Sequence, residues 1–283
     1  MNGDKDLAGR AFLVTGANTG IGRVTAIELA RRGGVLTLAG RSEERTRPVL
    51  DEIASFGGQA SFVKLDLADL ASTARAAKTV LDSGARLDVL VNNAGVPGQS
   101  GLTKDGFEVT FGTNHLGPFL FTYLLLPRLR EGSGARIVNV ASSGQFRVKS
   151  IDWDSLRRPA PSRAGFDEYC RSKLCNVLFT KELARGRAGA GVHSYALHPG
   201  SVATDIWNAF PWPLGPIIKL FLLSVEEGAR TSIHCAASPE VAGDDGLYYE
   251  KCSVREPAKL ALDEALAKKL WEVSEEMVAP FVS

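Results

Sequence analysis

Cysteine is scarce and neither sign of charge dominates. The only cysteines in 283 residues are Cys170, Cys175, Cys235 and Cys252. They have neither metal-ligand spacing nor the density of a disulfide scaffold, a pattern that fits reduced thiols and a cytoplasmic location. Lys and Arg number 33 against 32 Asp and Glu, for a formal charge of +1. The arginines are scattered rather than striped, so nothing in the bulk charge invites nucleic acid. No apolar run approaches the roughly 20 residues of a membrane helix. The most suspect stretch, Ile217 to Leu223, is short and carries Lys219. It reads as a lid or wall for an apolar ligand, with membrane-surface contact and ordinary core packing as the other readings. The polar opening from Met1 to Asp6 leaves no room for a signal peptide before the first strand, so no transmembrane segment is expected. No Pro/Gly-rich linker, compositional break or internal repeat divides the chain. A single domain over residues 1–283 is expected, and 45% hydrophobic residues suffice for a sizeable core.

Short apolar segments alternate with helix patterns. Strands are expected at Ala11 to Thr15, Val35 to Ala39, Ala60 to Leu65, Leu87 to Val91, Arg136 to Val140 and Gly191 to Leu197. A seventh is expected near Gly246 to Glu250. Ser42 is placed to cap a helix that begins with Glu43 and Glu44. Longer helices are expected from Asp69 to Leu81, Gly106 to Arg130 and Gly165 to Arg187. Ala258 to Glu272 reads as an amphipathic helix with Leu262, Leu266 and Leu270 on one face. Apolar strands separated by helices imply parallel pairing with both sheet faces covered. The expected class is α/β, a doubly wound parallel sheet of the Rossmann type.

The first strand runs into Gly16-Ala17-Asn18-Thr19-Gly20-Ile21-Gly22. Glycines at a strand-to-helix junction permit a tight turn and close approach of a pyrophosphate, and the helix N-terminus supplies N–H donors. The spacing Gly-x-x-x-Gly-x-Gly differs from the common Gly-x-Gly-x-x-Gly fingerprint. Arg23 after Gly22 excludes a Gly-Lys-Ser/Thr phosphate loop. The second strand ends in Gly40-Arg41-Ser42, without the acidic residue that often binds an NAD ribose. Arg41 suits a 2′-phosphate, so NADP(H) is expected, with NAD(H) as the alternative; Arg41 could instead be a solvated helix-start residue. Asp66 and Leu67 are placed to border the adenine, and Asp66 could equally be a cap.

Tyr169 and Lys173 stand four apart, which places them on one face of a helix about 6 Å apart. A neighbouring ammonium favours phenolate and depresses a tyrosine pKa from roughly 10, which suits acid–base chemistry. Alone this spacing is common. In order along the chain, however, stand Thr15-Gly16-Ala17-Asn18-Thr19-Gly20-Ile21-Gly22, Asn92-Asn93-Ala94-Gly95, Asn114, Ser142, Tyr169-x-x-x-Lys173 and Pro199-Gly200. Together they resemble the short-chain dehydrogenase/reductase family from Leu7 onward. The runs Val138 to Ser142, Tyr169 to Phe179, His198-Pro199-Gly200 and Gly228 to Thr231 are similar to its retinol dehydrogenase-like branch.

The resemblance implies a tetrad. Tyr169 would exchange the proton with the reacting oxygen, and Lys173 would lower its pKa and hold the nicotinamide ribose. Ser142 would polarise the substrate oxygen, and Asn114 would organise its helix and a water leading to Lys173. Asn93, Ala94 and Gly95 would lie along the cofactor. Pro199, Gly200 and Val202 would border the nicotinamide, with Thr204 near its amide or the pyrophosphate, and hydride would leave its pro-S face. Ser143 competes with Ser142, since successive strand residues face opposite ways. The long interval to Tyr169, with Trp153, Pro159, Pro161 and Phe166, is expected to form part of the substrate rim. The branch's N-terminal membrane anchor is not expected, which weakens transfer of retinoids as substrate.

Trp207, Phe210, Trp212, Leu214, Ile217, Ile218 and Leu222 supply apolar surface after Thr204, so a small hydrophobic alcohol or carbonyl compound is the expected substrate. Packing of this segment on the core is the competing reading. His193 and His198 read as structural. The leading function is an NADP(H)-dependent ketone or aldehyde reductase. The alternatives are a cofactor-binding scaffold or regulator with vestigial chemistry, and an epimerase or dehydratase with retained cofactor. The family resemblance leaves a homo-oligomer open.

Overall fold

Alternation of strand and helix produces the doubly wound sheet that the sequence implies. The computed structural model describes residues 5–200 and 224–282. Strands β1 (Ala11–Thr15), β2 (Val35–Gly40), β3 (Gln59–Lys64), β4 (Val89–Asn92), β5 (Ala135–Val140), β6 (Val192–His198), β7 (Leu247–Glu250) and β8 (Ser253–Val254) form one sheet in the order β3-β2-β1-β4-β5-β6-β7-β8. All neighbours pair in parallel except β7 and β8. The order reverses between β1 and β4, where a doubly wound sheet opens a crevice at its carboxyl edge.

The two faces follow the period of two along each strand. Phe12, Val14, Val89, Val91, Val138, Val140, Tyr195 and Leu197 pack beneath α1 (Gly20–Arg31), α2 (Glu43–Ser55) and a helix at Val225–Ala237. Leu13, Leu90, Ile137, Ala196 and Tyr248 pack on the other face. There they meet α3 (Leu70–Asp82), α5 (Gly117–Arg130), α6 (Phe166–Glu182) and α8 (Glu264–Val278), where α4 is the single turn Val109–Phe111 and α7 is Val225–Ala237. Capping residues fix several helix starts. Ser42 Oγ accepts the Arg45 N–H at 3.3 Å, and Asp69 Oδ1 accepts that of Ser72 at 2.8 Å.

Two helix expectations are corrected. The helix expected from Gly106 to Arg130 is interrupted: α4 passes into a π turn, Gly112–Leu116, in which the Gly117 N–H donates to the Gly112 carbonyl. The C-terminal helix begins at Glu264, not Ala258, because Asp263 caps it by accepting the Leu266 N–H at 2.9 Å. Residues Lys259–Leu262 form a separate 3₁₀ turn. Leu262 is consequently exposed, and Ala267, Leu270, Trp271, Ser274 and Val278 make the buried face. Trp153 is half-buried and packs against the core, with Lys269 Nζ 4.8 Å from its ring centroid. Among the described residues, no helix is long and apolar enough to cross a membrane.

Candidate active site

At the carboxyl edge of β1 and β4, long-range hydrogen bonds shape the glycine turn. Thr15 Oγ1 accepts the N–H groups of Asn93 and Ala94, each at 3.0 Å. The Asn93 amide turns inward and donates to the carbonyls of Thr15 at 2.9 Å and Gly16 at 3.3 Å. Gly16 has φ +68°, and a Cβ there would lie 2.9 Å from Ala94 Cα. A Cβ on Gly22 would lie 2.4 Å from Asn93 Nδ2 and 2.5 Å from the Gly16 carbonyl oxygen. Both positions therefore exclude any larger residue, for reasons of close backbone approach.

Helix α1 begins directly after this turn. Thr19 is its extended N-cap residue and makes no capping hydrogen bond; no acid stands in the first turn. The N–H groups around Gly20 and Ile21 thus keep a positive end that suits a pyrophosphate. This cradle fits a dinucleotide. At the neighbouring strand ends, Arg41 is exposed and Asp66 half-buried, while Leu67 is buried. Asp66 Oδ1 accepts the Ala68 N–H at 3.0 Å, so its carboxylate also shapes its own turn.

A second group of side chains gathers where β4, β5 and β6 end. Ser142 follows β5 and starts a 3₁₀ turn by accepting the Gly144 N–H at 3.2 Å. Its side chain stands close enough to that of Tyr169 in α6 to lower the tyrosine's pKa. Ser143 is exposed and makes no such contact, so the structure brings together Ser142 and Tyr169. Lys173, one turn along α6, is buried and donates to the Val140 carbonyl at 2.9 Å. Its Nζ lies 5.7 Å from the Tyr169 ring centroid.

Asn114 sits in the π turn and reaches back toward this group. Its Oδ1 accepts the Val96 N–H at 2.7 Å; its Nδ2 donates to the Val96 carbonyl at 3.0 Å and to Ser172 Oγ at 3.1 Å. Gly95 lies between them, since a Cβ there would be 3.0 Å from Asn114 Oδ1 and 3.6 Å from Lys173 Nζ. Pro199 and Gly200, the latter at φ +90°, follow β6 beside the same edge. Val202, Thr204, Trp207, Phe210 and Trp212 lie outside the described residues.

Burial dominates the site's proton affinities. It pushes Lys173 down to about 8. Such a value places an ammonium within reach of exchange near neutrality. Burial also raises Tyr169, against a smaller lowering effect of the neighbouring Ser142 side chain. The expectation that Lys173 depresses the Tyr169 pKa is therefore corrected. The lysine is aimed at the Val140 carbonyl, and desolvation acts on both groups. Cys170, adjacent in sequence, is pushed up to about 11 and remains a thiol at neutral pH. His198 is buried, lowered by desolvation, and stands 4.0 Å from Glu250.

Thr15 and Ser172 stood inside the sequence motifs with no role assigned, and Val96 did not stand out at all, yet all three make hydrogen bonds that shape this geometry. Their signal is a partner many positions away, which no local pattern reveals. A groove of about 710 Å³ between α1 and α7, lined by Arg23, Ile27, Arg31, Glu52, Arg230 and His234 among others, contains none of the tetrad. Ion pairs from Arg23 and Arg31 to Glu52 lie along it.

With this geometry in place, likeness to known proteins is informative. The family described as short chain dehydrogenase matches residues 10–153. Human retinol dehydrogenase 11 is 41% identical over 275 residues, covering 95% of this chain and 85% of that protein. An uncharacterised protein from Mycobacterium paratuberculosis superposes with a TM-score of 0.77 at 32% identity, covering 99% and 98% of the two chains. A putative NAD(P)-dependent gluconate 5-dehydrogenase from Beutenbergia cavernae, solved with NADP bound, gives 0.71 at 30% identity over 88% and 97%.

Proposed function

The chain belongs to the short-chain dehydrogenase family of oxidoreductases, and from that premise we propose that it is an NADP(H)-dependent enzyme interconverting a hydrophobic carbonyl compound and its alcohol, acting as a ketone or aldehyde reductase. The observation that carries this reading is the convergence of Ser142, Tyr169, Lys173 and Asn114 beside the glycine cradle. The cradle from Gly16 to Gly22 would hold the pyrophosphate, Arg41 the 2′-phosphate, and Lys173 the nicotinamide ribose. When bound, the nicotinamide supplies the hydride. The Tyr169 hydroxyl gives its proton to the carbonyl oxygen, and Ser142 donates a hydrogen bond to that same oxygen as its charge develops. Asn114 keeps Val96 and Ser172 in place below the lysine. Exposed Phe166, stacked on Tyr169, offers apolar surface beside this group, in keeping with an apolar substrate.

Turnover of apolar ketones and aldehydes should oxidise NADPH in proportion to the alcohol formed. Consumption of the carbonyl compound without net NADPH oxidation would favour an epimerase or dehydratase, and no turnover at all would favour a binding scaffold.

Ser142→Ala should lower kcat by about 10²-fold, the scale for removing one donor to a developing oxyanion. Ser143→Ala should stay within about threefold, since its side chain faces solvent. The reverse order would assign the wrong serine.

Cofactor preference provides a separate check. A Cβ on Gly40 meets only Thr46 Oγ1, at 3.8 Å, so Gly40→Asp is sterically accommodated. Combined with Arg41→Ala, it replaces a donor to the 2′-phosphate by a repelling carboxylate. The kcat/KM ratio for NADPH over NADH should fall about 10- to 100-fold, as expected for charge-assisted hydrogen bonds of ~1.5–3 kcal/mol. An unchanged ratio, or a native preference for NADH, would overturn the role of Arg41.

A further inference from the structure

His115 follows Asn114 in the π turn but faces away from the site. It is buried among Phe111, Phe119 and Phe179, with ring centroids 5.2, 6.0 and 6.0 Å away. Trp271 of α8 closes the same aromatic cluster, 4.9 Å from Phe119 and 5.8 Å from Phe179. At the centre of this packing His115 Nε2 lies 3.0 Å from Ser274 Oγ, also on α8. Ser274 donates its own proton to the Leu270 carbonyl at 2.7 Å. Its oxygen therefore accepts from His115, which fixes the imidazole as the Nε2–H tautomer. Burial holds the ring neutral, with its pKa pushed down to about 3. Nδ1 has no partner among the described residues.

Adjacent residues of one turn are thus gripped from opposite sides. Asn114 bonds Val96 and Ser172 toward the active site. His115 bonds α8, 159 residues further along the chain. A π turn contains one residue more per hydrogen-bonded ring than an α-helix, and it is retained where surrounding contacts over-determine it. We propose that His115 is a positioning residue of the proposed reductase: by its hydrogen bond to Ser274 it ties the C-terminal helix to the π turn and holds Asn114 against Val96 and Ser172 beneath Lys173. The C-terminal helix is then part of the catalytic architecture although none of its residues belongs to the tetrad. This role rests on the reaction proposed above, while the coupling between helix and turn does not.

Ser274→Ala removes a single oxygen and leaves the aromatic packing intact. His115→Phe retains a ring without the donor, and His115→Gln restores an N–H at similar reach. In the full-length protein, Ser274→Ala and His115→Phe should lower kcat about tenfold or more with KM for NADPH nearly unchanged, as a small displacement remote from the reacting atoms does. His115→Gln should recover most of that loss. Amide exchange at Val96, whose N–H is held by Asn114, should accelerate by about tenfold or more in the two impaired variants relative to amides of the central strands. A lower melting temperature with unchanged Val96 exchange and unchanged kcat would overturn the proposal and leave His115 a packing residue. Should His115→Phe fail to fold, Ser274→Ala decides by the same two readouts. Faster Val96 exchange in a protein that reduces no carbonyl compound would uphold the coupling and reject the reductase reading instead.

Discussion

Tyr169→Phe should abolish most turnover while leaving NADPH bound. The substitution removes one oxygen, and with it the proton that the carbonyl oxygen needs as it is reduced. Losing a positioned general acid costs about 10²–10⁴-fold. The ring itself should stay, because it stacks on Phe166 with centroids 6.4 Å apart and keeps its place in α6. Thermal stability should change little, since only one oxygen is lost and the packing of the ring on Phe166 is kept. Steady-state turnover, a fluorescence titration with NADPH and a melting curve separate these effects. Turnover within about threefold of the parent would remove Tyr169 from the chemistry. Weakened NADPH binding alongside lost turnover would mean that the hydroxyl also supports the cofactor.

Gly22→Ala should damage the nucleotide cradle and the fold together. Its methyl group would fall 2.4 Å from Asn93 Nδ2 and 2.5 Å from the Gly16 carbonyl oxygen. Asn93 cannot move away freely, because that amide satisfies the carbonyls of Thr15 and Gly16. Overpacking of this kind costs about 1–3 kcal/mol, and the displaced carbonyls lie in the turn proposed to hold the pyrophosphate. NADPH affinity should fall more than about tenfold, since a backbone shift of this size misaligns several donors at once. Gly40→Ala is the matched control: its Cβ meets nothing closer than 3.8 Å, so affinity and melting temperature should hold. Calorimetric titration and thermal melts of both variants decide the matter. Undiminished affinity in Gly22→Ala would show that the cradle tolerates a side chain and is no phosphate site.

Much of this architecture was legible in the residues themselves. Strands such as Leu-Val-Thr after Phe12 and Ile-Val-Asn-Val after Arg136 are apolar on both faces, and that is the mark of a buried parallel sheet. Glycines 16, 20 and 22 fall where β1 meets α1, as their chemistry requires. What escaped has a common physical origin in partners distant along the chain. The π turn at Gly112–Leu116 has no period of its own to betray it. The leucines at 262, 266 and 270 have helical spacing, yet the cap at Asp263 decides where α8 begins. The direction of the Tyr169 shift depends on how deeply α6 is buried and on where Lys173 points. Neither is local.

The bonds between Thr15 and the Asn93–Ala94 segment have a consequence for the order in which the molecule assembles. They join positions 78 and 79 residues apart. Strand β1 can pair with β2 as soon as the first forty residues are available, because that contact is near in sequence. Its other edge must wait for β4, at Val89–Asn92. Closing so long a loop carries an entropic cost and slows parallel pairing. During synthesis the glycine turn therefore exists as chain well before it exists as a binding surface. A nascent polypeptide that stops before Ala94 can hold β1, β2 and β3 side by side and still have nowhere to seat a nucleotide.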